Sequence, residues 1–395
     1  MSLLDPGDPG RLAASTTEAF RAAYGGFPAV VGRAPGRVNL IGEHTDYNSG
    51  LCLPVALPHA TYAAVAPRPD TLVRVRSAQT DDAWEGEGVG PGEVGGWASY
   101  VAGVVWAMRE SGVDVPGLDV CVDSTVPLGA GLSSSAALEC SVAAAIAAVT
   151  GVPDDRDTRR SLVAACMRAE TEVAGAPTGG MDQTVAMFAE PGAALLIDFD
   201  DGSTRAVPLA LDVAGLAILV VDTGVSHALV DGGYASRRAD CETAVRQLGL
   251  ASLREASVEQ VAALVDGRIR RRARHVVTEI SRVTRTVEAV AAGDWPALGD
   301  LFAASHASMR DDFEISCPEL DLAVSAAVDA GAVGARMTGG GFGGSAVAVV
   351  PARAVGEVRD AVAKAFEARG FAAPTFLLAD PSAAAGLVTP RPTDE

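Results

Sequence analysis

The stretch Pro127 to Glu139, PLGAGLSSSAALE, constrains this chain more than any other. An alternating apolar run, Leu118 to Val126, precedes it and an Ala-rich apolar segment, Ala136 to Val149, follows it. The order therefore reads strand, Gly/Ser loop, helix. A helix start leaves its first backbone N–H groups unpaired, and Gly129 and Gly131 let the backbone come close to a ligand, so the loop offers donors to an anion. Ser133, Ser134 and Ser135 add hydroxyls that can bond phosphate oxygens or sit on a magnesium ion. A Ser N-cap after a Gly turn is the plainer alternative.

Two better-known phosphate loops fail on the same residues. No Gly-Lys-[Ser/Thr] is present, and the dinucleotide fingerprint would need Gly where Ser134 stands. The only Lys of the chain is Lys364, so phosphate charge must be met by backbone N–H groups, a cation and Arg. With 31 basic against 50 acidic residues the net charge is −19, which opposes nucleic acid or an acidic membrane as partner. Six scattered Cys form neither CxxC pairs nor zinc spacing and are expected to be reduced core thiols. The N-terminus lacks the basic and apolar regions of a signal peptide, and no apolar run is long enough to span a membrane, so a cytoplasmic location is expected.

Along the chain of 395 residues, Arg11 to Tyr24 reads as a helix, and two strand-like runs, Val30 to Ile41 and Leu51 to Leu57, flank the polar segment GEHTDYNSG. Glu43, His44, Asp46, Tyr47 and Asn48 thus share one loop, a set suited to a ligand rich in hydroxyls. Asp46, Asn48 and Gly50 alone would pass as turn residues. Trp97 to Met108 reads as a helix whose aromatics either pack in the core or stack on a base. Asp182, after a Gly pair and before an apolar helical run, is either an N-cap or a general base. A polar, Pro-containing connector joins strands at 193–199 and 216–221, and the domain change is placed there: residues 1–200, then 201–373, with a C-terminal strand near 374–395 expected to return to the first domain. Val258 to Ala292 reads as one long helical pattern, and the run RIRRRAR at 268–274 within it reads as a solvated helix face or, less simply, a phosphate site. MTGGGFGGS at 337–345 is a second Gly loop, set for close approach to a ligand or to the first loop.

Four motifs, GRVNLIGEHTDYNSG at 36–50, PLGAGLSSSAALE at 127–139, GGMDQ at 179–183 and RMTGGGFGG at 336–344, resemble the GHMP small-molecule kinases, and within them the galactokinase family. The resemblance covers most of the chain. It implies an α+β, two-domain architecture with mixed sheets flanked by helices and the active site between domains. It implies transfer of the γ-phosphoryl group of MgATP to the anomeric hydroxyl of galactose, with no obligate protein partner. Carried over residue by residue, Asp182 matches the catalytic base and Arg37 the cation beside it. Glu43, His44, Asp46, Gly180 and Tyr234 match sugar contacts. Gly129, Ala130, Gly131, Leu132, Ser133, Ser134 and Ser135 match the ATP phosphate loop, Ser135 and Glu170 the Mg²⁺ positions, and Trp97 an aromatic bordering adenine. Thr178 and Ser345 stand where many relatives have Cys. Kinases for N-acetylgalactosamine or arabinose share the scaffold, as does a sugar and ATP sensor without turnover, although an intact Ser loop, Asp182 and Arg37 speak against the sensor.

Overall fold

A computed structural model describes residues 2–225 and 232–391. The first sheet has the order β13-β1-β3-β6-β4-β5, built from β1 (Val30–Asn39), β3 (Pro54–Arg68), β4 (Val73–Ser77), β5 (Ala83–Gly86), β6 (Gly117–Ser124) and β13 (Gly386–Leu387). Its neighbours are antiparallel except β4 with β6. One face is covered by helices Ala98–Glu110, Ser134–Val149 and Arg156–Arg168, whose Val, Ala and Ile side chains form an apolar core with β3, β4 and β6. The helix Pro9–Tyr24 covers the other face through Ala13 and Phe20.

A second sheet has the order β10-β11-β9-β12, from β9 (Leu216–Asp222), β10 (Gly334–Thr338), β11 (Ser345–Pro351) and β12 (Thr375–Leu378). Helices Gly233–Leu248, Gly267–Ala292, Pro318–Asp329 and Val355–Arg369 contribute to its core. The two halves are not separate oil drops. Val38, Val55 and Leu57 of the first sheet share one cluster with Ile218, Val220 and Val347 of the second, so the cleft between the halves has an apolar floor.

Three features differ from the sequence expectations. The polar connector after residue 200 contains β8 (Ser203–Pro208), which pairs with β7 (Ala193–Asp198), itself joined to β2 (Leu51–Cys52). β8 is an edge strand with alternating burial, so its polar outer face hid it, and sheet membership changes at 209–215. The tail divides its loyalty: β12 pairs with β9 in the second sheet, and only β13 returns to β1. The long helical pattern from Val258 is broken, because Asp266 caps a new helix that begins at Gly267.

Arg270 of the run at 268–274 donates to the Leu264 carbonyl at 2.9 Å, and its other four arginines are paired: Arg268 with Asp240 at 3.2 Å, Arg271 with Glu314 at 2.9 Å, Arg272 with Glu314 at 2.6 Å, and Arg274 with Asp312. They are committed to the protein's own carboxylates. All six cysteines are free and buried. Among the described residues no helix is long and apolar enough to cross a membrane.

Candidate active site

A cleft of about 690 Å³ lies between the two sheets and is lined by segments of all four motifs. Of the residues singled out from the sequence, Arg37, Glu43, His44, Asp46, Gly129, Gly131, Leu132, Ser133, Ser134, Ser135, Glu170, Asp182 and Tyr234 line it. Ala130 is buried behind the lining. Gly180 gives way to its neighbour Gly179, and Trp97 is partly buried against the first core at the start of helix Ala98–Glu110, outside the lining. Arg37 is the only Lys or Arg among the described lining residues.

Its centre is Asp182. Gly180, in left-handed backbone, occupies the N-cap of helix Met181–Phe188, so Asp182 is not the cap. Its carboxylate is held by Arg37, with Nε to Oδ1 at 2.8 Å and Nη2 to Oδ2 at 2.9 Å, a bidentate geometry that fixes direction as well as charge. The Ser133 hydroxyl also donates to Asp182 Oδ2. Ser133 adopts φ 61° and makes no capping bond, so the Ser N-cap alternative fails here too. The β1 register shift between Pro35 and Arg37 lets this chemistry assemble. Gly36 leaves space where a Cβ would lie 2.7 Å from the Leu132 carbonyl, and Arg37 N–H donates to that carbonyl at 3.1 Å. Arg37 Nη1 then reaches the Gly131 carbonyl at 2.7 Å.

The second Gly loop closes on the first. Ser345 Oγ donates to the Ala130 carbonyl at 2.7 Å, and a Cβ at Gly339 or Gly344 would sit 3.1 Å from a carbonyl of Gly131 or Ala130. Of the two uses expected for this loop, approach to the first loop is therefore realised.

Beyond Ser133 the helix Ser134–Val149 begins, and Ser135 Oγ donates to Glu170 Oε1 at 2.8 Å. Glu170 Oε2 accepts from Gln183 Nε2 at 2.6 Å. A hydroxyl and a carboxylate are hard oxygen donors, and two such groups are what a protein usually offers a magnesium ion whose other positions are filled by phosphate and water. The pair fits Mg²⁺. Among the described residues there is no cluster of three or more His, Cys, Asp or Glu that would hold a metal unaided.

On the other side lies the polar loop. Asp46 Oδ2 presses against Gly179, where an added Cβ would lie only 1.8 Å away. Burial, and next the charge of Asp182, push the Asp46 carboxyl up to about 6. His44 has both ring nitrogens occupied: Tyr47 Oη lies 2.7 Å from Nδ1 and the Gly340 carbonyl 3.1 Å from Nε2. The carbonyl can only accept, so Nε2 carries the proton and Nδ1 accepts from Tyr47. Burial holds this imidazole neutral, down at about 3. It stacks within an aromatic group of Tyr47, Tyr234 and Phe313, so it contributes a wall and not a free polar nitrogen.

Glu43 carries the most consequential partner that sequence reading passed over. Its Oε2 accepts from the fully buried Arg336 and its Oε1 from the Gly339 N–H at 3.2 Å. Arg336 also donates to Ser305 Oγ at 3.1 Å and to the Leu40 carbonyl at 2.8 Å, and lies 3.4 Å from Glu279 Oε1. Glu279 is paired with Arg282 at 2.7 Å and accepts from the Gly42 N–H at 3.1 Å; burial raises its carboxyl, but Arg282 and Arg336 outweigh this and hold it at about 2. His275 Nε2 reaches the Glu43 carbonyl at 3.1 Å. The polar loop is thus bolted to the second sheet and its helices. The available signal was Arg336 itself, a charge inside the apolar strand GARMT that needs partners.

The geometry agrees with the matches to known proteins. Three family models fit the chain: the galactokinase galactose-binding signature at residues 18–67, the GHMP kinases N terminal domain at 99–190 and the GHMP kinases C terminal at 286–368. A galactokinase of Streptomyces coelicolor is 47% identical over 95% of this chain and 98% of its own length. A galactokinase of Mycobacterium tuberculosis is 46% identical over 86% and 94%. The crystal structure of Lactococcus lactis galactokinase complexed with galactose superposes with a TM-score of 0.89 at 31% identity, covering 95% of this chain and 99% of that one. With those coverages the likeness extends over both domains and the cleft between them, and the chain belongs to the galactokinase family of GHMP kinases, ATP-dependent sugar kinases.

Proposed function

We propose that this protein transfers the γ-phosphoryl group of MgATP to the C1 hydroxyl of D-galactose, giving galactose 1-phosphate, with Asp182 at the centre of the reaction. The observation that carries this reading is the Asp182 carboxylate held by Arg37 and Ser133 between the Gly/Ser loop and the polar loop. Phosphoryl transfer asks little covalent work of a protein; it asks for in-line placement and for positive charge and N–H donors around the transferred oxygens. The loop 129–135 supplies the donors and Arg37 the fixed cation, while Asp182 orients the sugar hydroxyl and takes its proton as the new O–P bond forms. Ser135 and Glu170 would hold Mg²⁺, which neutralises phosphate charge when bound.

Asp46, Tyr234, the backbone of Gly179 and Gly180, and the Glu43–His44 wall form the sugar side in this reading. The N-terminal domain, 1–200, contributes the phosphate loop and the C-terminal domain, 201–373, the third motif. Trp97 is retained for adenine. The helix it opens, Ala98–Glu110, packs on the turn that carries Glu170, where a Cβ at Gly103 would lie 3.0 Å from Ala169. Six buried free thiols suit a reducing compartment and a cytoplasmic enzyme.

Two tests address the sugar side. Ionised, Asp46 accepts sugar hydroxyls through both oxygens, whereas protonation turns one of them into a donor, and burial pushes this carboxyl up to about 6. Galactose affinity, measured by calorimetry, should be constant above pH 7 and weaken below pH 6, approaching about tenfold per pH unit. The slope should vanish in Asp46→Asn. The sign for stability is opposite to that of a salt-bridged acid: a raised carboxyl costs stability as pH rises from the unfolded value of 3.8, and the cost is complete above about 6, so Asp46→Asn should be at least as stable as wild type at pH 8. A pH-independent Kd in wild type would remove Asp46 from the sugar site. Gly179→Ala drives a methyl into Asp46 and should lower kcat/KM for galactose by roughly 10²-fold, the scale expected when a positioning error of about 1 Å is imposed. ATP binding by the same variant should change little.

A further inference from the structure

Helix Ser134–Val149 is strongly apolar, yet it carries a carboxyl, Glu139, that is 0% exposed among Ala136, Ala137, Cys140 and Val142. A buried carboxyl in such surroundings is costly unless it is hydrogen-bonded. Among the described residues Glu139 bonds to one group only, the Gln183 amide at 3.0 Å from Oε2, and its Oε1 has no partner. Burial, followed by the charge of Glu170, pushes this carboxyl well up. Nothing in the reaction described above uses it.

Its placement gives it a task. Ser135 and Glu139 are four apart and so share one helix face. Ser135 holds one oxygen of Glu170, and Gln183 Nε2, the same atom that meets Glu139, holds the other. An amide side chain can turn over, exchanging its donor and acceptor ends. Glu139 and Glu170 both take the NH₂ end, while the Thr178 hydroxyl stands 3.4 Å from the carbonyl end. Turned over, the carbonyl would face two carboxyl groups. Glu170 itself stands in a π-helical turn, Ala169–Val173, a less regular backbone than an α-helix, so the direction of its carboxylate depends on its side-chain partners.

We propose that Glu139 is a positioning residue for phosphoryl transfer: through the Gln183 amide it holds Glu170 with one oxygen turned toward Ser135 and the divalent cation. This rests on the assignment of Ser135 and Glu170 to that cation. It needs no contact between Glu139 and substrate, and it explains why a carboxyl persists in the helix core beneath the phosphate loop.

The test compares Glu139→Leu, Glu139→Gln, Gln183→Met and Glu170→Gln. Mn²⁺ binding to the enzyme–ADP complex is read by electron paramagnetic resonance, and the Mg²⁺ dependence of kcat by steady-state assay. Galactose affinity serves as a readout that a general folding defect would move. Glu139→Leu and Gln183→Met should each raise the Mn²⁺ Kd and the half-saturating Mg²⁺ by roughly tenfold or more, the usual range when the support of a metal ligand is removed. Galactose affinity should stay within about twofold, and the double variant should be no worse than either single one, since both cut the same relay. Glu139→Gln keeps an acceptor oxygen and should restore wild-type metal dependence. Unchanged metal dependence in Gln183→Met, together with a shift in Glu170→Gln, overturns the relay alone. Unchanged metal dependence in Glu170→Gln overturns the cation assignment beneath it. Should Glu139→Leu fail to fold, Gln183→Met and Glu139→Gln still decide the matter.

Discussion

Asp182→Asn is expected to lower kcat by roughly 10²-fold or more while leaving ATP affinity within a few-fold of wild type, the loss typical of a removed general base. Asn keeps the size of the side chain and can still accept from Arg37 through one oxygen, but it removes the charge that both Arg37 and Ser133 address. The prediction is thus about chemistry and not about folding. Steady-state kinetics with saturating galactose, beside nucleotide binding by calorimetry, separates the two. A kcat within a few-fold of wild type would remove Asp182 from the reaction.

The second large effect is on stability. Arg336→Met should cost about 3–5 kcal/mol, because among the described residues it removes the only cation paired with Glu43 and one of two on Glu279, and an uncompensated buried charge is more expensive than a deleted pair. Against a total of roughly 5–15 kcal/mol for a protein fold, this brings the chain near unfolding at 37 °C. Urea denaturation measures it directly; a loss under about 1 kcal/mol would mean that the network contributes little. Burial raises the Glu43 carboxyl despite Arg336, so the part of this support that persists across neutral pH is that of Glu279. Glu279 is depressed to about 2, so the stability it supplies is complete above the usual carboxylate range of about 4.3 and is lost only as pH falls from there toward 2. Arg336→Lys keeps the charge but cannot reproduce the fork that reaches Glu43, Ser305 and the Leu40 carbonyl together, so it should be intermediate.

What could be read from the sequence follows from where each interaction's information resides. The phosphate loop was legible because strand, Gly/Ser turn and helix are contiguous, and the polar loop because five chemistry-bearing residues fall together at 43–48. Their meeting at Asp182 was legible only through the resemblance, since Arg37 and Asp182 are 145 positions apart. Arg336 with Glu279 and Glu139 with Gln183 were not assigned roles. Each is a buried polar pair whose members look ordinary in their own helix or strand, and only packing brings the partners together. β8 was missed for a related reason: an edge strand with a wet face has the composition of a loop. His44 shows the converse. Its residue type suggested a polar contact, but Tyr47 and Gly340 consume both ring nitrogens.

The central claim is that the cleft phosphorylates galactose, and the measurement that tests it most directly is ADP release from MgATP in a coupled assay. The panel is galactose, N-acetylgalactosamine, arabinose, glucose and mevalonate. The predicted result is a kcat/KM for galactose at least about tenfold above every other compound, a selectivity within reach of a few hydroxyl contacts in the Asp46 and Tyr234 pocket. Equal or greater turnover of another sugar would contradict the substrate while sparing the chemistry. Tight galactose binding with no ADP released would contradict the kinase.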